Sequence, residues 1–571
     1  LLLLAAPTLL AQQSGENAPP DAHTSASGSQ VVRATVSGAV LNAATGQPLA
    51  RALVHIEGDA DTGALTDGEG LFEIPGVPTG PQFFEIVKPG FYDRGGAAGN
   101  LGDGAIEKSN HNVLVAADMP KLTFSLAPTA TIRGQIELST GDPAEGITVA
   151  LLRRTVQDGR AFWPEAAIAK TNSEGAYRFG GLAAGEYALY TQTAMESEPA
   201  STLAAGGVAV ERAGYRSIFY PDASEFAGAR KIRLVGGEQT QANFALTLEL
   251  FHAVTAAVAL PRELPAAAGN ASDANEYRAA VMDMAGHQLL YDTSYDRKTH
   301  TVQTLLPDGS YSLVVFTLPR AGKTADGGAL AGSVDFAVAG HPVRNLRVPL
   351  LVTHQNPVEL AIERSSPPSG QPATAPGKED VAEVLVSSIG AGIFDGTLNP
   401  LASGSAPGPM AAASNLSGSY WVHTHIAKGY CERSFTAGGT NLATEPLILG
   451  LNGSTAPMFL TLRDDCAKLT LSLPATISAV TSGEEPLYTV YAVPDTDSTV
   501  DAQMATLRPS SGGTITLEDL APGGYRVYTF DAPARLEYRN PAALAALPAP
   551  GQAITLSPGT TGNLELEVGK H

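Results

Sequence analysis

One short phrase recurs along the chain and constrains its fold more than any other feature. It consists of an apolar residue, a turn containing Gly, and an aromatic residue that enters an alternating strand. It occurs as Val77-Pro78-Thr79-Gly80-Pro81-Gln82-Phe83-Phe84 and as Leu182-Ala183-Ala184-Gly185-Glu186-Tyr187. It returns as Leu306-Pro307-Asp308-Gly309-Ser310-Tyr311, as Leu416-Ser417-Gly418-Ser419-Tyr420 and as Leu520-Ala521-Pro522-Gly523-Gly524-Tyr525. Glycines 80, 185, 309, 418 and 524 are spaced by 105, 124, 109 and 106 residues. That period is too long for a solenoid repeat and fits a β-sandwich of about 100 residues. Pro and Gly reverse the chain, and runs such as Tyr311-Ser312-Leu313-Val314-Val315 then bury every second side chain. Length alone suggests about four domains; the phrase suggests five sandwiches. Helical periodicity is scarce, with 540–547 its best short stretch.

The first two units share a second pattern. Val36-Ser37-Gly38-Ala39-Val40 leads through Thr45-Gly46-Gln47-Pro48-Leu49 to Ala52-Leu53-Val54-His55-Ile56. Its counterpart is Ile132-Arg133-Gly134-Gln135-Ile136, Thr140-Gly141-Asp142-Pro143 and Ile147-Thr148-Val149-Ala150. Each is a strand, a Gly/Pro turn and a returning strand. Thr66-Asp67-Gly68-Glu69-Gly70-Leu71-Phe72 and Thr171-Asn172-Ser173-Glu174-Gly175-Ala176-Tyr177 follow as hairpin turns that end on an aromatic strand start.

These residues resemble the carboxypeptidase regulatory-like domain, a transthyretin-like β-sandwich. Residues 31–128 carry the pattern well and 129–195 nearly as well. The third to fifth units keep only the turn-and-aromatic phrase, and their fold is extended from the first two. Ser217-Ile218-Phe219-Tyr220-Pro221 also resembles exported bacterial proteins built from strings of such domains. The resemblance implies an all-β tandem array of about five transthyretin-like or immunoglobulin-like sandwiches. Its relation to carbohydrate-binding-like folds implies a sugar ligand only by analogy. The expected division is 31–128, 129–250, 251–363, 381–468 and 469–571, with 364–380 a Pro/Ser linker and 12–30 a disordered one.

Residues 1–11 form an apolar run too short for a bilayer, which takes about 20 residues. The run reads as the end of a secretory signal, the alternative being a frayed apolar terminus. No later segment is apolar enough to span a membrane, so the mature chain is expected in the periplasm or outside the cell. Cys431 and Cys466, 35 positions apart, are expected to form a disulfide there. Without a CxxC spacing they make a poor metal site. A formal net charge of −21 disfavours nucleic acid as a partner.

Catalytic motifs are lacking. None of the 11 histidines has Glu three residues later, as a zinc carboxypeptidase needs, and HExxH and GxSxG are absent. Gly322-Lys323-Thr324 imitates the end of a phosphate-binding loop, but Thr317 stands where its first Gly belongs. No cofactor is expected. His423 and His425, at i and i+2, lie on one face of a strand and suit a metal, or simply face solvent. Asp59, Asp61, Asp67 and Glu69 offer oxygens to calcium, or are acidic turns. Asp464-Asp465 and Glu484-Glu485 read as solvated charge.

Aromatic side chains remain as binding candidates. Phe162 with Trp163, and Phe219 with Tyr220, form two platforms for a sugar, the alternative being that they close their own sandwich core. The expected function is non-catalytic binding or structure at the cell surface, with carbohydrate as the specific ligand. The alternatives are a cell-surface protein as partner of an adhesion or scaffold module, or an enzyme with its site in 351–470.

Overall fold

The computed structural model describes residues 32–93, 110–196, 211–261, 275–284, 288–319, 330–352, 356–365, 384–390, 402–406, 408–412, 418–449, 455–477, 482–495 and 497–568. The residues expected to form the signal and the 12–30 linker lie outside these, as does nearly all of the 364–380 linker.

The chain is all-β, built from two-sheet sandwiches, with the strands of the fourth unit joined into one nine-stranded sheet, and one topological device recurs five times. The first strand of each unit runs parallel to its last. Arg33–Asn42 pairs with Leu122–Pro128, and Ala130–Leu138 with Gln239–Gln241 and Phe244–Leu246. Glu249–Ala259 pairs with Val343–Pro349, Asn356–Glu363 with Met458–Arg463, and Ala467–Ser472 with Thr561–Glu565. Each pairing closes over its own apolar cluster. In the first unit Val36, Val40, Val54, Phe72, Ile74, Phe84, Val113 and Phe124 meet between the sheets. Alternating burial along Arg33–Asn42 supplies one face of that core.

Two boundaries differ from the sequence expectation. Asn356–Glu363, assigned above to the third unit, opens the fourth, because its register runs from Val358↔Met458 to Glu363↔Arg463. Ala194–Met195 and Glu211–Tyr215, assigned to the second unit, extend a sheet of the third through pairs such as Glu211↔His252. Composition marks linkers but carries no signal for which sheet a short strand joins.

The repeated motifs have local causes. At Gly38 a Cβ would lie 2.3 Å from Leu122 O and 2.8 Å from the Phe72 ring; at Gly134 it would lie 1.7 Å from Ala242 O and 2.7 Å from the Tyr177 ring. The glycine therefore lets an aromatic ring and the parallel last strand close over the first. Thr66 and Thr171 are buried staples. Thr66 accepts from Ala52 N at 2.8 Å and donates to Leu49 O at 2.6 Å; Thr171 accepts from Ile147 N at 2.9 Å and donates to Ala144 O at 2.6 Å. The following Asp67 and Asn172 each accept two backbone N–H groups through Oδ1, fixing the turn.

In three of its five occurrences the aromatic of the recurring phrase acts through its hydroxyl. Tyr187, Tyr311 and Tyr525 donate to the carbonyl four residues back, Ala183, Pro307 and Ala521, at 2.8, 3.0 and 2.9 Å. The 540–547 stretch contains one short helix, Pro541–Ala545, capped by the Asn540 side chain. No helix among the described residues is long and apolar enough to cross a membrane.

Candidate functional site

The aromatic candidates are placed by the second sandwich itself. Trp163 is 7% exposed and Phe219 8%, both inside a small cluster with Leu152, Tyr190 and Ala229. Phe226 meets Trp163 edge-on at 5.4 Å and Phe219 at 5.6 Å. Tyr220, joined to Pro221 by a cis bond, faces the opposite side from Phe219 and packs edge-on against Phe244 at 5.6 Å. Phe162 is half-buried at the end of the hairpin strand Arg160–Phe162. Trp163 and Phe219 are therefore core residues, while Phe162 and Tyr220 remain half-buried.

The polar side chains converge instead where sandwiches meet. The second unit projects a two-residue hairpin turn, Asp158-Gly159, both in the left-handed region at φ 49° and 69°. A Cβ on Gly159 would lie 2.6 Å from the Tyr538 ring, so the turn backs directly onto the fifth unit. Arg539 clasps it: its backbone N–H donates to Gly159 O at 3.0 Å and its Nε to Asp158 O at 3.1 Å. The other guanidinium nitrogens reach Ser498 O at 2.7 Å, Val500 O at 3.2 Å and Asp501 Oδ1 at 3.5 Å. From the fourth unit, His423 Nδ1 lies 3.3 Å from Asp501, and Trp421 offers its ring to Arg160, whose guanidinium sits 3.5 Å from the ring centroid. Behind His423, the Glu432 carboxylate is buried and accepts from Thr499 N at 3.0 Å, Thr424 Oγ1 at 3.1 Å and the Thr499 hydroxyl.

Asp158, His423 and Asp501 bring one ligand atom each within 4.8 Å of one another, a geometry that could hold a cation. The charges decide against it. Burial and then the Asp501 charge raise the Asp158 pKa. Burial works against the Asp501 carboxylate too, but contacts from His423, Arg539 and Tyr538 outweigh it and hold it low. Burial and the Arg539 charge bring Arg160 down to about 10. Two guanidiniums thus already face two carboxylates, and a divalent ion would add excess positive charge in a half-buried site. The cluster fits an inter-sandwich clasp. Of the two histidines singled out in the sequence, only His423 takes part; His425 is exposed. Asp158, Asp501, Tyr538 and Arg539 were missed. The Asp-Gly hairpin was the one signal available, since the others are joined to it only by docking.

A second joint lies between the first and fifth units. Gly483–Glu484 adds to the edge of Asn110–Val115, and Glu485 N donates to Asn112 O at 3.0 Å. His111 is held between Asp93, at 2.5 Å, and Glu484. Burial disfavours the charged ring, but the two carboxylates outweigh it and push the pKa up to about 9. Glu485 is buried, accepting from Ser510 N at 2.6 Å and Asn112 Nδ2 at 3.0 Å. Both glutamates belong to the joint, Glu485 buried in it and Glu484 at its solvent-exposed edge.

The other acidic candidates are used locally. Asp59 accepts from Asp61 N and Thr62 Oγ1 at 3.1 and 2.7 Å, Asp67 holds its own turn, and Asp465 pairs with Arg463. Cys431 and Cys466 are disulfide-bonded, with Cα atoms 5.8 Å apart, just before the fifth unit's first strand begins at Ala467.

No curated protein matches the chain. Among solved structures, it is similar to the Bacillus anthracis TIE protein at 8% identity, over 94% of this chain and 75% of that one, with a TM-score of 0.16. GBS52, a minor pilin of Streptococcus agalactiae, matches at 16% identity over 38% of this chain and 95% of its own, TM-score 0.18. A streptococcal ancillary pilin matches at 12% over 56% and 99%, TM-score 0.18. Those TM-scores are too low to carry an argument about fold or function. The sequence match is local: residues 35–107, in the first sandwich, are similar to the carboxypeptidase regulatory-like domain, whose family model matches that stretch.

Proposed function

We propose that the chain is a non-catalytic, exported scaffold of β-sandwiches with a structural or adhesive role at the cell surface. In this reading its titratable side chains serve to fix the sandwiches against one another. The observation that carries the reading is the docking of the fifth unit. It extends a sheet of the first unit through Gly483–Glu484, clasps the second through Arg539 and Asp158, and receives His423 from the fourth. Arg154 of the second unit adds an ion pair to Glu537 at 2.5 Å. A string of independent binding modules has no need of such contacts; a scaffold that presents one shape does. The disulfide supports an oxidising address.

Small-angle scattering of the full chain tests this. Five sandwiches in line would extend roughly 170 Å, taking about 34 Å for each from its radius of gyration. The folded-back array predicts a markedly shorter maximum dimension and no sign of hinge motion in the normalised Kratky plot. An extended, flexible profile would refute the reading.

A further inference from the structure

The first, second and fifth units leave a cleft of about 990 Å³ between them, lined by Tyr92, Pro128, Arg153, Arg233, Val235 and Leu547 among others. Two features set it apart. The first is charge. Three guanidiniums, Arg153, Arg154 and Arg233, face the carboxylates Glu186 and Glu537, and both carboxylates sit on Arg154, at 3.4 and 2.5 Å. Among the described residues Arg153 and Arg233 have no ion-pair partner, in a chain of formal net charge −21. Arg153 is held by the Tyr187 ring, 6.0 Å from its centroid.

The second feature is open backbone. Ile232–Leu234 is the end strand of its sheet and Phe91–Asp93 the end strand of its own, and both contribute to the cleft wall. Glu186 O accepts from Arg154 N at 2.9 Å, so the backbone of Glu186 points away from Ile232–Leu234. Its cross-strand partner is Arg233, which is therefore in a non-hydrogen-bonded pair and turns its own N–H and C=O to the open side. The floor is apolar, from alanines, Pro128, Leu234, Val235 and Leu547, with Val235 60% exposed.

We infer that this cleft captures an extended acidic peptide of a partner protein. The peptide adds as a strand to the Ile232–Leu234 edge, sets its carboxylates on Arg233, whose side chain shares a face of the sheet with Glu186, and places its intervening apolar side chains on the other face, beside Leu234. The floor offers alanine and branched side chains with Tyr92 as its one ring, which suits a peptide better than the flat aromatic face a sugar ring stacks on. This goes beyond the scaffold reading, because the array could be rigid with the cleft unused.

The test is fluorescence anisotropy of the full chain with a labelled, end-blocked peptide alternating Glu and Val. Three results are expected. The peptide binds and its Lys-for-Glu counterpart does not. Arg233→Ala weakens binding by about tenfold or more. N-methylation of the peptide backbone at alternate residues weakens it about as much in one phase and little in the other. Equal binding of the Lys peptide, indifference to the Arg substitutions or to N-methylation in both phases, or binding of oligogalacturonate in place of the peptide, would each overturn the inference. Arg233 is exposed, so the fold tolerates its substitution, and Arg233→Glu should weaken binding further than Arg233→Ala. Scattering from the same samples reports separately on the scaffold.

Discussion

The His111 joint makes docking of the fifth sandwich depend on pH in a direction the structure dictates. The ring rises from 6.5 to about 9 because Asp93 and Glu484 hold its proton. A shift of that size corresponds to about 3 kcal/mol of preference for the charged ring. Asp93 belongs to the first unit, as His111 does, and stays beside it when the fifth unit leaves; only the Glu484 share is linked to docking. Glu484 is 40% exposed and screened, so its share is put at about 1 kcal/mol, roughly a fivefold change in the docking equilibrium. Because Glu484 raises the docked ring above its undocked value, the contribution is present at neutral pH and is lost as pH rises through about 9. Hydrogen exchange at the Glu485 amide, which donates to Asn112 O across the joint, reads this directly. After correction for intrinsic exchange, its protection should fall by roughly fivefold between neutral pH and pH 10. Glu484→Gln should lower protection at neutral pH and flatten the profile, since it leaves the Gly483–Glu484 backbone pairing in place. A flat wild-type profile, or the same pH dependence in Glu484→Gln, would refute the reasoning.

Further outcomes follow from other contacts. Gly134→Ala should cost about 3 kcal/mol or more of second-unit stability in denaturant titration, since the added carbon would fall 1.7 Å from Ala242 O. Thr66→Val should cost about 1–3 kcal/mol, because Ala52 N and Leu49 O lose a buried partner; Thr171→Val should match it in the second unit. Reducing Cys431–Cys466 should lower fourth-unit stability by about 3–4 kcal/mol for a loop of this length, read as a fall in its unfolding midpoint. Calorimetric titration with Zn²⁺ should show no saturable binding at the clasp; binding that disappears in His423→Ala would overturn the charge argument made for Asp158 and Asp501.

Much of the fold was legible because its causes are local. The Tyr187, Tyr311 and Tyr525 corners span four residues, and the Thr66 and Thr171 staples span fewer than thirty, so a spacing of glycines and aromatics was enough to reveal them. Sheet membership of Asn356–Glu363 was not legible, because its partner lies about a hundred residues later and the intervening composition is silent about pairing. The choice between platform and core for the aromatic candidates was open in the sequence for a related reason. A ring in a polar loop has the same sequence signature whether it faces solvent or, like Trp163, closes a core, and the difference lies in Phe226 and Tyr190 arriving from elsewhere. The joints were the least legible part. His111, Glu484, Asp158 and Arg539 are each unremarkable in their own segments, and their roles come from separations of 373 and 381 residues closed by docking. Side chains with such remote partners cannot announce themselves by local pattern. They share one physical trait, a charged group placed where the chain pairs or turns: Asp158 in an Asp-Gly turn, Glu484 on a two-residue strand, His111 on a strand face that continues as Val113 and Val115. Charge in such positions is costly to bury alone, so each of these residues needed a counterpart, and the counterparts were on neighbouring sandwiches.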